Sequence, residues 1–137
     1  IYFRSTLDLA QAAAFIHEIS GGRFRFGIGV AHAPSHIRYG VTAGKPLLDI
    51  RNFVETAHNA KGIGELPPIT LATLRKKMIS LAGKIAEGVV FANGSCSHMS
   101  ESLDVLPPEK RNDQNFFIGN NIVPFIRVFP NFRCYNS

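Results

Sequence analysis

Cysteine is scarce in this chain, long apolar runs are missing, and no block of like charge stands out. Each absence removes a class of protein. Cys96 and Cys134 are isolated thiols without metal-ligand spacing, which argues against a disulfide framework and against a cysteine-based zinc site. They read as small core or surface residues in a reducing, cytoplasmic setting. The apolar stretch at 85–92 is broken by Glu87 and Gly88 and falls far short of the ~20 residues that cross a bilayer, so no membrane partner is expected. The opening residues lack the charge, apolar run and cleavage site of a secretory signal. Because the first residue is Ile1, the sequence reads as beginning inside a longer chain.

The net charge of +5 comes from 15 Lys and Arg against 10 Asp and Glu, and the basic residues are scattered. A nucleic-acid partner would want them gathered on one face with stacking aromatics. The run Arg75-Lys76-Lys77 reads as a solvated first helical turn. The modest positive field still suits a phosphate-bearing cofactor.

With 137 residues and 45% hydrophobic content, one domain with one core is expected. Ser5 with Asp8 three residues on fits a capping box, and Leu9, Ala13 and Ile16 follow at helical spacing until Gly21-Gly22. The segment 24–30, Phe-Arg-Phe-Gly-Ile-Gly-Val, reads as a strand stripped of side chains at two places, and glycine in a strand marks close approach of a ligand or backbone. An irregular stretch then runs to Gly44, and Leu47, Ile50, Val54 and Ala57 mark a second helix ending near Gly62. Beyond Pro67-Pro68, a strand at 69–74 precedes a helix with Met78, Leu81, Ala82 and Ile85 on its buried stripe. Val89 to Ala92 is another short strand, followed by a helix from about Ser97 to Leu103 and a polar loop at 109–115. Ile122 to Val128 could be a last strand interrupted by Pro124. Such alternation argues for parallel βαβ units, with the strands at 24–30, 69–74 and 89–92 adjacent in that order. On pattern alone this is a small open sheet, because only about four strands are visible and a (β/α)8 barrel needs eight.

In either architecture ligands gather at the carboxyl ends of strands, after Val30, Leu74 and Ala92. Gly27-Ile28-Gly29 begins like a dinucleotide fingerprint, but His32 replaces its last glycine and no helix follows at once, so that motif fails. His32 and His36 have metal-ligand spacing if helical, yet Pro34 intervenes and no acidic partner is near, so a metal is not expected. For His32, contact with a ligand and a backbone-bonded loop role stand side by side. Cys96 and His98 lie too close in sequence to face each other as nucleophile and base. Asn93-Gly94-Ser95 leads into a helix N-terminus, which reads equally as an anion cradle and as an ordinary turn with a serine cap.

Several pieces together carry a resemblance: Ser20-Gly21-Gly22-Arg23-Phe24 running into Phe26 to Val30, then Gly44-Lys45-Pro46-Leu47, Pro68 to Ala72, Leu81-Ala82-Gly83 and Ala86-Glu87-Gly88-Val89. In order and spacing, over roughly residues 4 to 120, they resemble the luciferase-like monooxygenase superfamily, which includes bacterial luciferase and deazaflavin-dependent oxidoreductases. The resemblance implies an α/β fold that is part of a (β/α)8 TIM barrel with about half of its strands, and so replaces the open sheet. Residues 1–137 would form one partial domain, with a divergent tail at 129–137. It implies an oxidoreductase using FMN or coenzyme F-420, a deazaflavin, on a small-molecule substrate. By that similarity Gly27, Gly29, Val30 and His32 would border the cofactor ring or ribityl chain, Ala72, Thr73 and Leu74 would pass close to it, and Asn93, Gly94 and Ser95 would lie near the phosphate-bearing tail. No catalytic acid or base is assigned. A half-barrel exposes apolar surface that a homodimer would cover, and its activity as a fragment is expected to be low. The contrasting expectation is a non-catalytic binding or structural remnant of the same scaffold.

Overall fold

The computed structural model describes residues 1–73 and 75–121. Four strands form one sheet in the order β1 (Phe26–Ile28), β2 (Ile69–Thr73), β3 (Gly88–Ala92) and β4 (Phe117–Asn121), every pair parallel. The helices between them are α1 (Thr6–Ile19), α2 (Ala33–Arg38), α3 (Pro46–Asn59), α4 (Lys76–Ile85), α5 (Cys96–Leu103) and α6 (Pro108–Arg111). This is an α/β architecture consistent with part of a luciferase-like (β/α)8 barrel, with four of its eight strands among the described residues. The expected adjacency of the first three strands is observed. The expected segment 122–128 and the tail at 129–137 lie outside the described residues.

Local sequence explains where the helices begin and end. Ser5 caps α1 by accepting the Asp8 N–H through Oγ at 3.1 Å, while the Asp8 carboxylate pairs with Arg4 at 2.9 Å. At the other end Gly21 and Gly22 take φ of 62° and 79°, and Ser20 Oγ donates to the His17 carbonyl while accepting from Phe24 N–H. This closes the helix and turns the chain directly into β1. Proline at the first position starts α3, whose buried stripe is Ile50, Phe53, Val54 and Ala57. Phe53 replaces the expected Leu47, which is exposed. In α4 the buried positions are Ile79, Leu81, Ala82 and Gly83, with Met78 and Ile85 only partly covered.

Four elements differ from expectation. The strand expected over 24–30 is shortened to Phe26–Ile28, the irregular stretch before Gly44 contains α2, the polar loop at 109–115 begins inside α6, and β4 lies where no strand is expected. Neither α2 nor α6 buries a residue, so neither carries the apolar periodicity that reveals a helix in sequence.

Alternation along the strands separates two faces. Ile69, Leu71, Val89 and Phe91 are fully buried under the helices, with Phe26 and Ile28 beside them and the Phe26 and Phe53 rings 6.1 Å apart. The opposite face is lined in register by two rows, Gly27–Thr70–Gly88–Phe117 and Gly29–Ala72–Val90–Gly119. No described helix covers it. Arg25, just before β1, reaches over this face to within 5.0 Å of the Phe117 ring on the far strand. Glu87 joins the amino ends of three strands: its Oε2 accepts the Ile69 N–H at 2.8 Å, its own N–H donates to the Ile69 carbonyl, and its carbonyl accepts from Phe117.

Gly88 is the glycine this packing demands, since a Cβ there would stand 2.5 Å from the Phe117 carbonyl oxygen and 2.8 Å from its Cβ. Backbone cannot yield as a flexible side chain can. Gly88→Ala is therefore expected to lower stability by about 1–3 kcal/mol, the range for forced overpacking, in a urea denaturation series. An unchanged midpoint would show that β3 and β4 are less tightly joined than the register implies.

Candidate functional site

The uncovered sheet face and the loops at its carboxyl edge form the candidate site. In the upper row no side chain exceeds valine, so the face is shallow there, whereas Phe117 and Arg25 stand at the far end of the lower row and leave Gly27 exposed. Gly27, Gly29 and Ala72 share this face. Val30 and Thr73 do not: the first packs against the helical core and the second is buried on the helical side, its Oγ1 without a hydrogen-bond partner among the described residues. Leu74 lies outside the described residues. Sequence spacing could not separate these, because period-two alternation assigns faces only once the register is known.

The two strand glycines have different reasons to exist. A Cβ on Gly29 would meet the Ala72 Cβ at 3.0 Å, a contact tight enough to require movement, while one on Gly27 would lie an ordinary 3.6 Å from Thr70 Oγ1. Packing therefore accounts in part for Gly29 and leaves Gly27 unexplained.

At the carboxyl edge, His32 precedes α2 and its carbonyl accepts from Ser35 and His36, but its exposed imidazole makes no hydrogen bond among the described residues. His36 instead directs Nε2 to the Val30 carbonyl at 2.7 Å, and its ring meets Tyr2 edge-on at 5.4 Å. Asn93 turns the chain after β3 with φ 55°, a conformation asparagine tolerates, and Ala31 does the same after β1 with φ 56°, where a Cβ is strained. Ser95 caps α5 by accepting the His98 N–H, so the cap reading is observed. A capped helix still directs its first N–H groups outward, which leaves the anion reading compatible with the cap. Cys96 is exposed, and His98 packs edge-on against Phe91 with centroids 6.3 Å apart.

Two features had no counterpart in the sequence reading. Asn120 on β4 grips the backbone of Gly94 from both sides, its Oδ1 accepting the Gly94 N–H at 3.1 Å and its Nδ2 donating to the Gly94 carbonyl at 2.8 Å. The residues are 26 apart in sequence, and only strand pairing reveals the clamp. The second is an aromatic cluster of Tyr2, Phe3, His36 and Tyr39, tied down where the Tyr2 hydroxyl donates to Asp49 Oδ2 at 2.7 Å. Burial, the hydrogen bond to Asp49 and the charge of that carboxylate raise the Tyr2 phenol from 10 to about 12.

A luciferase-like monooxygenase family model matches residues 1–107, most of the chain, and the chain belongs to that family. It thereby joins a group of flavin-type oxidoreductases, generally served by flavin or deazaflavin cofactors. A search of curated proteins gave no significant match. Among the described residues no helix is long and apolar enough to cross a membrane, and no group of three metal-ligating side chains occurs.

Two outcomes check this geometry. Gly27→Val should change the melting temperature little, whereas Gly29→Val should lower stability by about 1–3 kcal/mol through overpacking against Ala72. Equal losses would mean that both glycines serve packing. For Tyr2, a folded-state pKa above the unfolded value places the stabilisation fully below pH 10, to be lost as pH rises toward about 12. In Tyr2→Phe that alkaline loss should shrink; ultraviolet difference titrations of the parent and of Tyr2→Phe in which the transition lost by the variant lies at 10 instead of about 12 would overturn the Asp49 pairing.

Proposed function

We propose that the chain forms part of an oxidoreductase that binds FMN or coenzyme F-420 at the carboxyl end of the sheet, over the upper row of its uncovered face, and acts on a small organic substrate. The observation that carries this reading is the row Gly29–Ala72–Val90–Gly119, a side-chain-poor surface beneath the carboxyl-edge loops of a family member. Gly27 strengthens it, because packing leaves room there that a planar ring can use. The residues fit such a group in kind: a flat apolar floor for a ring, and the Asn93-Gly94-Ser95 loop at a helix N-terminus for a phosphate. When bound, the cofactor supplies hydride transfer or oxygen activation.

The chain's own contribution is positioning. Gly27, Gly29 and Ala72 let the ring approach the backbone, Asn120 fixes the Gly94 peptide, and His32 offers an imidazole with no other partner among the described residues. One side of this surface is open to water in the described structure, and a site that cannot exclude water protects a reduced cofactor poorly. Weak binding without useful turnover is therefore the proposal for these 137 residues alone, in a cytoplasmic setting. Self-association into a homodimer would cover the open face.

Fluorescence quenching with FMN and with the deazaflavin, followed by steady-state assays with reduced nicotinamide or an alcohol donor, tests this reading. Saturable binding weakened by Gly27→Val, with turnover well below the ~1 per second of slow ordinary enzymes, is expected. Turnover near that value would show a complete site, and absence of any cofactor binding would favour a structural remnant of the scaffold.

A further inference from the structure

The opposite end of the sheet, where the strands begin, carries a second concavity. A cleft of about 460 Å³ opens between α3, the end of α4 and α6, with Arg51, Val54, Glu55, His58, Lys84 and Lys110 among its lining residues. That volume lies within the roughly 300–1,000 Å³ of small-molecule sites. Part of its wall is apolar, since Val54 and Ala86 are buried core residues.

The charges around this wall are unbalanced. Arg51, Lys84 and Lys110 are cationic, and the ion pairs among the described residues are Arg4–Asp8, Lys76–Glu101 and Arg111–Asp104, none of which involves them. The segment 122–137 contains no Asp or Glu that could supply a side-chain partner. Of the two lining carboxylates, Glu87 already accepts the Ile69 N–H, and Glu55 forms no ion pair although it stands one turn from Arg51. Helix dipoles explain part of the arrangement, because Lys84 and Lys110 occupy the last turns of α4 and α6, where a cation is favoured. They do not explain Arg51, which sits in the second turn of α3, far from its carboxyl end. Lys110 also stands over the Phe116 ring at 5.7 Å, which restrains its stem.

The geometry points to a binding site for a small organic phosphate in this cleft. A guanidinium fork matches two phosphoryl oxygens, and two ammonium groups add point charges that complement a dianion. Val54 and Ala86 give the organic body an apolar contact. The site lies at the end of the sheet remote from the candidate cofactor face, and it does not depend on the proposed redox function.

Isothermal titration calorimetry of the 137-residue chain at fixed ionic strength tests it, with adenosine 5′-monophosphate, inorganic phosphate and adenosine as probes. The nucleotide is expected to saturate near ~1 mM or below, more tightly than inorganic phosphate, with adenosine not binding. The double variant Lys84→Gln/Lys110→Gln should weaken the nucleotide at least ~10-fold, with its ligand-free melting temperature lowered by only a few degrees through the loss of two favourable helix-end charges. Arg51→Lys keeps the charge but loses the fork, so a further loss of affinity is expected there too. No saturation by ~10 mM, equal binding of adenosine, or affinity in the double variant within ~2-fold of the parent would each overturn the site. Unchanged affinity in Arg51→Lys would overturn the bidentate phosphate contact.

Discussion

Parallel pairing at one register is the constraint on which the rest depends. It puts Ile69, Leu71, Val89 and Phe91 under the helices and the rows of Gly27 and Gly29 on the other side. A slip of one residue would exchange the faces, burying glycine rows where aliphatic side chains now fill space and exposing the most buried residues of the chain. The aliphatic face thus holds the bare face in place. The positioning of the candidate site is a by-product of core packing, enforced without any contact to a ligand.

That dependence makes it necessary to ask which glycines the fold itself requires. Gly88 is required, because the Phe117 backbone occupies the space a Cβ would take. Gly29 is partly required by Ala72. Gly27 has ordinary room beside Thr70, and glycine carries an entropic cost in a strand that alanine would reduce. A residue kept small where packing does not ask for it is better evidence for a ligand than one whose neighbours already explain it.

Legibility followed the source of each element's stability. The strands β2 and β3 were readable because strands buried in a parallel sheet appear as continuous apolar runs, and α1 was readable from the Ser5 cap and the Gly21-Gly22 stop. The family resemblance was readable from motifs in fixed order, and the family match over residues 1–107 agrees with it. The helix α2 was not readable, since its six residues bury none of their number, and β4 was hidden because Phe-Ile-Gly-Asn-Asn owes its strand state to pairing with β3. The same tertiary origin hid Asn120. Faces were the main limit: Val30 and Thr73 look like neighbours of the glycines in sequence but turn toward the helices.

The two ends of the sheet are built differently, and this difference separates stability from function. At the amino end a single residue, Glu87, joins β2, β3 and β4 through one side-chain and two backbone hydrogen bonds, so the strands start in fixed positions. At the carboxyl end the chain leaves β1 and β3 through Ala31 and Asn93 in the left-handed region, and its loops are held by side chains from elsewhere, His36 on Val30 and Asn120 on Gly94. Strain persists only where the surroundings over-determine it. Here those surroundings are side-chain clamps, which can be changed one at a time without disturbing the amino-end ladder. A fold so divided can vary what its loops recognise while keeping the same core, the division expected of a barrel scaffold whose chemistry is carried at strand ends.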